Sequence, residues 1–450
     1  MRKSLLFILF LVSLLLGGAE GGFLFAQDHA RLSERSVMGT ARYVAMGGAM
    51  SAVGGDPTAA LDNPAGLGLY QRSEVMLTLD YSFDRTIQSS VVGPEKRHYI
   101  AFPQASVVFS RYASPVSGSG LQYYNFMFSY RRMNSFGRTM YAEGAKDASL
   151  GALFASTGVD MKIPYCTDRT NSVNNLLLKE YGYANEYALD WAANISNRWY
   201  VGVGLHMQSY SMTSEAEFYE DFARTNATGL RYSNINRTSV AMSGVGCNLS
   251  LGAICRPTRW LRLGLAVQTP SLGSVNTYTS GVLRAQTDSL RSSSISNGSP
   301  PSRSYHAPLR TTASVAFQFG YFGMLALQYD YSHASYQHDI HSLRAGLEII
   351  PVPGMYINAG YVYESTFRTD YMVVPVSATL DRQDAYFQYP KATQYASVGL
   401  GYRGQHVIVQ AAYQYRWQNL KLFAHEYANP YDMHADTHRV VLTFAWHRGW

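Results

Sequence analysis

The chain has 450 residues, of which 15% are charged, while Tyr occurs 35 times and Gly 38 times. About a quarter of the residues of an ordinary soluble domain are charged, so this composition argues against that class. The net charge of +6 is spread along the chain and forms no Lys/Arg block of the kind that nucleic-acid-binding proteins carry. Three cysteines without metal-ligand spacing predict no zinc site, and we expect neither a nucleic-acid partner nor a cofactor.

The first 26 residues have the pattern of a secretory signal peptide. Met1-Arg2-Lys3 is positively charged, an apolar run extends from Leu5 to Leu16, and a small residue, Ala26, precedes Gln27. The run of about a dozen residues is shorter than the roughly 20 that a membrane-spanning helix needs. The sequence therefore predicts a signal peptide over residues 1–26.

Residues 27–72 form a segment that is rich in small side chains and shows no alternation. Asp56-Pro57 favours a helix start, since Asp can cap a helix and Pro suits its first position. Asn63-Pro64 would end that helix. The segment is too apolar for a free tail and too short for a domain, so we expect it to fold inside the structure that follows.

From residue 73 onward, apolar and polar residues alternate in segments of about ten residues, as in the strands of a membrane barrel. Val75, Leu77 and Leu79 are apolar, whereas Thr78 and Asp80, on the other face of the same segment, are polar. Fourteen segments show this pattern, at residues 73–83, 98–111, 121–134, 185–197, 199–213, 238–255, 259–269, 308–319, 321–333, 341–350, 355–365, 394–403, 405–418 and 436–448.

The connections alternate between short and long from the fourth segment on. Asn197-Arg198 and Gly404 are short, whereas 135–184 and 270–307 are long and polar. Outer-membrane barrels have short periplasmic turns and long outer loops, and an even number of strands lets the sheet close without a free edge. The sequence therefore predicts an all-β fold, a 14-stranded antiparallel transmembrane β-barrel over residues 73–450, with an N-terminal plug in its lumen and both termini periplasmic.

Charges of both signs occur on the polar face of the segments. They are expected to face the lumen, because Arg or Lys facing lipid at mid-membrane costs about 2–4 kcal/mol. The inward set is Asp80, Arg131, Asp190, Arg262, Arg310, Asp330, Arg344, Glu348, Arg403, Arg416 and Arg439. Most should form ion pairs that hold the wall, and Arg131 and Arg344 are the candidates for contact with a ligand.

Pro103 lacks an N–H for the ladder and could mark a break in the wall. The loop at 140–157 is helix-prone.

The N-terminal segment resembles the hatch of the long-chain fatty acid transporter family, the FadL type of the hydrophobic-compound transporter superfamily. The likeness rests on Met46-Gly47-Gly48-Ala49, on Asp56-Pro57-Thr58-Ala59-Ala60, on Asn63-Pro64-Ala65-Gly66 and on Arg262–Pro270. It implies a hatch over residues 27–72, marked by Gly47, Gly48, Asp56, Asn63, Pro64, Ala65 and Gly66. It also implies passive diffusion of an amphipathic molecule from an outer groove through a pocket, past a shifting hatch and out through an opening in the wall.

Half of the 12 histidines fall near two predicted outer loops. The candidate metal ligands among them are His333, His338, His341, His434 and His438, with Asp339 and Asp436 nearby. Imidazoles beside carboxylates can bind a divalent metal or a haem iron. The competing interpretation is a set of polar residues at the level of the lipid headgroups.

Three functions therefore stay open. The first is passive uptake of long-chain fatty acids or similar hydrophobic compounds. The second is docking or assembly, as in PorV-like barrels of type IX secretion, and the third is capture of haem or metal. An enzyme is not expected, because no Ser/His/acid set lies together in the sequence. The expected partners are a hydrophobic small molecule and outer-membrane lipid, including lipopolysaccharide; the barrel is expected to be monomeric, with a secretion-system partner left open.

Overall fold

The computed structural model describes residues 31–88, 95–113, 120–144, 172–222, 232–287, 291–298, 303–334, 337–366, 387–423 and 429–447. Its β-structure is one antiparallel sheet of 18 strands. They are β1 (Glu74–Gln88), β2 (Glu95–Tyr112), β3 (Leu121–Ser135), β4 (Arg138–Glu143), β5 (Ser172–Ile195), β6 (Trp199–Phe222), β7 (Tyr232–Cys255), β8 (Leu261–Gln268), β9 (Leu272–Thr287), β10 (Arg291–Gly298), β11 (Arg303–Tyr305), β12 (Leu309–Gln318), β13 (Gly323–Ala334), β14 (Gln337–Val352), β15 (Met355–Glu364), β16 (Phe387–Arg403), β17 (Val407–Phe423) and β18 (Tyr431–His447).

The sheet closes into a barrel because its first and last strands pair with each other. β1 is antiparallel to β18 from Glu74↔His447 to Gln88↔Met433, and β2 pairs with its other side. β4 continues β3 along β5, and β9 continues β8 along β7, with β10 and β11 paired to β9. The other fourteen strands form the closed ring. The predicted 14-stranded barrel is confirmed, and each predicted segment corresponds to one of these strands.

Burial alternates along the strands, with apolar side chains exposed and polar side chains buried, as a lipid environment requires. On β1, the apolar Val75, Leu77 and Tyr81 are exposed, whereas the polar Thr78 and Asp80 are buried. Polar side chains therefore face the lumen and apolar side chains face outward, while the closed ladder provides partners for the backbone N–H and C=O groups. No helix among the described residues is long and apolar enough to cross a membrane.

The sheet extends further at the end of the barrel that carries the long loops than alternation predicts. β4 and β9 to β11 lie within predicted loops. The helix expected at 140–157 is wrong where it begins, since residues up to Glu143 belong to β4 and pair with β5; residues 145–157 lie outside the described ranges. Strand extensions of this kind depend on cross-strand contacts rather than on lipid, so no apolar alternation needs to mark them.

Between residues 41 and 69, the N-terminal segment forms two short α-helices and one 3-10 helix. α1 (Ala41–Ala45) and α2 (Pro57–Asp62) are followed by a 3-10 helix (Pro64–Leu69). Nearly every residue from 37 to 70 is buried. This segment forms hydrogen bonds with inward-facing side chains on well-separated strands: Ala41 N to Thr443 Oγ1 (2.8 Å), Gln268 Nε2 to Leu61 O (2.7 Å) and Asn125 Nδ2 to Leu67 O (2.7 Å). It therefore lies across the lumen, as a plug would.

The wall is interrupted between β2 and β3 in its long-loop half. β2 pairs with β3 from Tyr112 to Gln104, but its residues 95–101 pair with β1 alone among the described strands. Pro103 lies in a bulge, where the β1–β2 register shifts between Thr78 and Asp80, which suits a residue without an N–H. On the other side of the interruption, the ladder along β5 breaks between β3 and β4 at Phe136-Gly137.

Candidate functional site

A cavity lies at the long-loop end of the lumen, between the N-terminal segment and the wall. It contains about 740 Å³ of free space, part of which is continuous with solvent. Its apolar lining is Leu32, Met133, Tyr210, Ala307, Pro308, Ile340 and Pro390, and its charged lining is Glu34, Arg35, Arg310, Glu364 and Lys391. The lining therefore places apolar side chains beside charged groups.

Arg310 provides this cavity with a cation that lacks an acidic partner. Its Nε donates to Ser332 Oγ at 3.4 Å, and no carboxylate of the described residues lies within 4 Å of its guanidinium. Nearby Asp330 is occupied instead by Arg344 Nε at 2.9 Å. Glu34 and Glu364 lie in the same lining, but neither forms an ion pair with Arg310 within the described residues. Its guanidinium therefore keeps donors for an anion, and a carboxylate matches its fork geometry.

Arg131 and Arg344, the two predicted ligand contacts, meet at one carboxylate of the N-terminal segment. Asp62, in the last turn of α2, lies 3.0 Å from Arg131 Nη1 and 3.8 Å from Arg344 Nη1. Burial opposes ionisation of Asp62, but the attraction of the two arginines outweighs burial and lowers its pKa. The hydroxyl of Tyr43 donates to the same carboxylate. Both arginines thus hold the segment to the wall, and their contact with a ligand stays a prediction.

Arg131 also belongs to a buried chain of polar groups on β5 and β6. Its Nη2 lies 2.5 Å from Glu186, and His206 lies between Glu186 (Nδ1, 3.3 Å) and Asp190 (Nε2, 3.1 Å). Alternation predicts that Asp190 faces the lumen, and Glu186 shares its parity on β5. His206 was not identified from the sequence, because alternation alone does not show which inward residues of neighbouring strands meet.

A second buried ion pair joins α1 to the opposite side of the wall. Arg42 donates to Glu348 through Nε (2.6 Å) and Nη2 (2.9 Å), and Asn358 donates to the same carboxylate at 2.9 Å. Such a bidentate pair fixes both position and orientation. The segment is therefore held at both of its helices.

Asp56 and Asn63, the acidic and amide residues of the predicted hatch motif, cap the helices of the N-terminal segment. Asp56 accepts hydrogen bonds from the N–H groups of Thr58 (2.9 Å) and Ala59 (3.3 Å) at the start of α2. Asn63 accepts from Ala65 N at 3.1 Å and donates to Ser51 O at 2.9 Å. These bonds satisfy helix-end N–H groups that would otherwise be buried without partners.

The small residues of the motif allow the segment to touch the wall. Gly47 has a φ of +60°, a conformation that costs glycine little, and a Cβ on Gly360 of β15 would lie 2.2 Å from its nitrogen. Gly48 has a φ of +71° and lies beside Arg344. Pro64, Ala65 and Gly66 are buried in the 3-10 helix, and a Cβ on Gly202 of β6 would lie 2.4 Å from the carbonyl carbon of Pro64.

The predicted metal ligands do not converge. His333 and His341 lie on β13 and β14, whereas His434 and His438 lie on β18, with β15 to β17 between them. His333 contacts Asp339 at 2.6 Å and His434 contacts Asn419 at 2.8 Å. No group of three His, Cys, Asp or Glu that could hold a metal ion occurs in the described ranges; the side chain of His338 falls outside them. Metal or haem capture therefore has no assembled ligand set to support it there.

Comparison with known proteins shows which solved structures have a similar architecture. No protein-family model matches the chain, and no curated protein matches it significantly. The chain is similar in structure to a Pseudomonas aeruginosa FadL homologue, with 14% identity, a TM-score of 0.55 and coverage of 92% of this chain and 98% of that one. It is also similar to the toluene transporters TodX of Pseudomonas putida and TbuX of Ralstonia pickettii, each 14% identical over 91% of this chain and 98% of theirs, with TM-scores of 0.57 and 0.52.

At these identities the comparisons establish the fold. The chain shares the 14-stranded barrel of FadL-type channels over almost its whole length. An outward apolar surface on every side of a closed barrel is the mark of a protein that spans the outer membrane.

Proposed function

We propose that this barrel is a passive outer-membrane channel for hydrophobic compounds that carry an acidic group, of which long-chain fatty acids are the model. The observation that carries the proposal is Arg310, a guanidinium that has no ion-paired carboxylate among the described residues and lies at the wall of a cavity with both apolar and polar lining. Arg35 and Lys391 add positive charge to the same lining. An acyl chain would occupy the apolar part, and its carboxylate would bind Arg310.

In this account the N-terminal segment acts as a hatch. It fills the lumen below the cavity and is held by Asp62 and Arg42, so a ligand cannot pass straight through without its displacement. The interruption between β2 and β3 offers a side exit. The outward apolar side chains next to it, Ile100 and Phe102, are 74% and 55% exposed, so an exit there would open onto an apolar surface. A hydrophobic compound leaving there would enter lipid and avoid water. We place both termini, and the short turns with them, on the periplasmic side, and the cavity on the outer side.

Equilibrium binding of a fatty acid and of the alcohol of the same chain length to the purified barrel tests the proposal. Wild type should bind the acid more tightly. Arg310→Gln should weaken acid binding about tenfold or more, since a hydrogen bond to a charged group contributes about 1.5–3 kcal/mol, and it should leave alcohol binding unchanged. Arg237→Gln is the matched control, because Arg237 faces outward and pairs with Glu217.

Two outcomes would count against the proposal in different ways. Equal affinity for acid and alcohol in wild type would remove the role of Arg310 and favour a neutral hydrocarbon as substrate. Absence of binding to either compound, together with a second polypeptide that co-purifies with the barrel, would favour docking instead of transport.

A further inference from the structure

Six outward-facing tyrosines, on β1, β3, β5, β13, β15 and β17, share one hydrogen-bond geometry, and we call them the paired tyrosines. Each hydroxyl is hydrogen-bonded, at 2.6–3.0 Å, to a side chain on the neighbouring strand that lies one outward position nearer the long-loop end. The pairs are Tyr81–His98, Tyr130–Asn185, Tyr181–Glu215, Tyr329–His341, Tyr361–Gln394 and Tyr413–His438. One diagonal geometry recurs on six different strand pairs.

The paired tyrosines whose partner is histidine, Tyr81, Tyr329 and Tyr413, mark one edge of the apolar belt. On β18, the side chains at Val440, Leu442, Phe444 and Trp446 are exposed and apolar, whereas His438, Asp436 and His434 follow toward the long-loop end. Trp446 and His438 are separated by roughly 20 Å along the membrane normal, given a rise of about 3.3 Å per residue and a strand tilt of about 40°. Aromatic girdles of membrane barrels lie at such boundaries, so the polar partners of the tyrosines reach the headgroup layer.

Histidine is the partner in three of the six pairs. In each of them the tyrosine lies opposite an aliphatic residue (Ile100, Leu343 or Val440) and the histidine lies opposite an aromatic one (Phe83, Tyr331 or Tyr415). Two of the three units join into one surface, because the ring of Phe83 contacts both His98 and His438, with centroids 4.7 Å and 5.8 Å apart. The same unit is thus built on β1–β2, β13–β14 and β17–β18.

In all three units the tyrosine binds Nδ1 of the imidazole, at 2.7 Å. Nε2 has no hydrogen-bond partner in the part of the chain that the structure describes. Nε2 carries a hydrogen when the tyrosine donates to Nδ1, and also when the ring is protonated. In these two states each unit presents an oriented N–H donor at the headgroup layer.

Near His98 the local charge favours an anionic group as the acceptor. Lys96 is exposed next to the outward position of His98. The nearby carboxylates are already occupied, Asp436 by Arg85 and Asp339 by His333 and Tyr331. On the other side of the barrel the tyrosine partner is itself a carboxylate, Glu215. We propose that His98, His341 and His438 bind the phosphate groups of outer-leaflet lipid, so that the barrel holds phosphorylated lipid on its histidine-bearing sectors.

Native mass spectrometry of the purified barrel with diphosphoryl lipid A, or with its dephosphorylated form, tests this inference. The variant is His98→Gln, His341→Gln and His438→Gln together. Gln keeps the hydrogen bond to tyrosine, since Tyr361 already donates to Gln394 at 2.6 Å, but it removes the imidazole. Wild type should prefer the phosphorylated lipid about tenfold, equivalent to about 1.4 kcal/mol, and the variant should lose this preference.

His406→Gln, in the turn between β16 and β17 at the opposite end of the barrel, should retain the wild-type preference. Equal binding of the two lipids by wild type, or an undiminished preference in the triple variant, would overturn the inference. It rests on the outer-membrane location and not on the transported compound. Fatty-acid binding and lipid A binding can therefore fail independently.

Discussion

Asp62 is the residue at which the proposed hatch and the wall are electrostatically coupled. It accepts from Arg131 on β3 and from Tyr43 within the hatch, and Arg344 on β14 lies close to it. Removal of one partner from a buried ion pair is costly because it leaves an uncompensated charge. Opening of the hatch would separate these groups, so a ligand carboxylate that draws an arginine toward the cavity would lower the cost of opening.

Asp62→Asn should loosen the hatch without unfolding the barrel. The loss of a charge-assisted hydrogen bond should reduce protection of amides in residues 41–66 by about 2 kcal/mol in hydrogen exchange. Protection of β17 and β18 should not change. Glu217→Gln, which breaks an exposed pair with Arg237, is the control and should cost less than 1 kcal/mol. Unchanged exchange in the Asp62→Asn hatch would contradict the coupling.

The same carboxylate sets a pH dependence. Its pKa is lowered in the folded state, because the two arginines outweigh burial. The stabilisation of the closed hatch by ionised Asp62 is therefore fully present above the ordinary carboxyl pKa of about 4. It is lost as the pH falls through the lower pKa that Asp62 has in the folded state. Hatch protection in wild type should fall on acidification below about pH 4. The fall should be smaller in Asp62→Asn, in which other carboxylates, such as Glu348 paired with Arg42, still hold the hatch. A fall of equal size in both proteins would assign it to another group.

Gly360→Ala tests whether close contact with the wall keeps the lumen shut. The added methyl group would lie 2.2 Å from the nitrogen of Gly47, so the hatch must move. We expect increased ion conductance in planar bilayers, because β15 faces the hatch at this point. Gly281→Ala on β9 is the matched control, since a Cβ there meets nothing within 4 Å. Equal conductance of the two variants would show that this contact does not seal the lumen.

At the level of elements, the feature that supports the proposed exit is the unequal pairing of β2. Its residues from Gln104 to Tyr112 have partners on both sides, whereas residues 95–101 have only β1 in the described structure. Arg97 reaches into the interruption, since a Cβ on Gly137 would lie 1.9 Å from its Nη1. Side chains, rather than a ladder, therefore cover the proposed exit.

Hydrogen exchange measured by NMR in nanodiscs can detect this opening. Amides of residues 95–101 that face β3 should exchange faster than the alternate amides that face β1. Amides between Gln104 and Tyr112 should be protected on both sides, because both ladders are complete there. Uniform slow exchange across β2 would show that the wall is closed and would exclude this exit.

For the whole molecule, lipid makes the ring of strands predictable from the sequence. Every ring strand alternates because one face contacts hydrocarbon and the other contacts the lumen, and so all fourteen were predicted. β4 and β9 to β11 were missed because their pairing lies where lipid imposes no pattern. The inward orientation of Arg131, Arg310 and Arg344 was predictable too, but their partners were not. Alternation does not show how the N-terminal segment is oriented in the lumen, and that orientation alone brings Asp62 to Arg131 and leaves Arg310 without an ion-paired carboxylate among the residues that the structure describes.

Uptake of a long-chain fatty acid by Gram-negative cells that lack their own fatty-acid channel tests the central claim most directly. Cells that display the wild-type barrel should take up the acid faster than cells without it. Arg310→Gln should lower this uptake about tenfold, and Arg237→Gln should not. If cells with a correctly folded wild-type barrel in the outer membrane take up the acid no faster than cells without it, the transport function proposed here is contradicted.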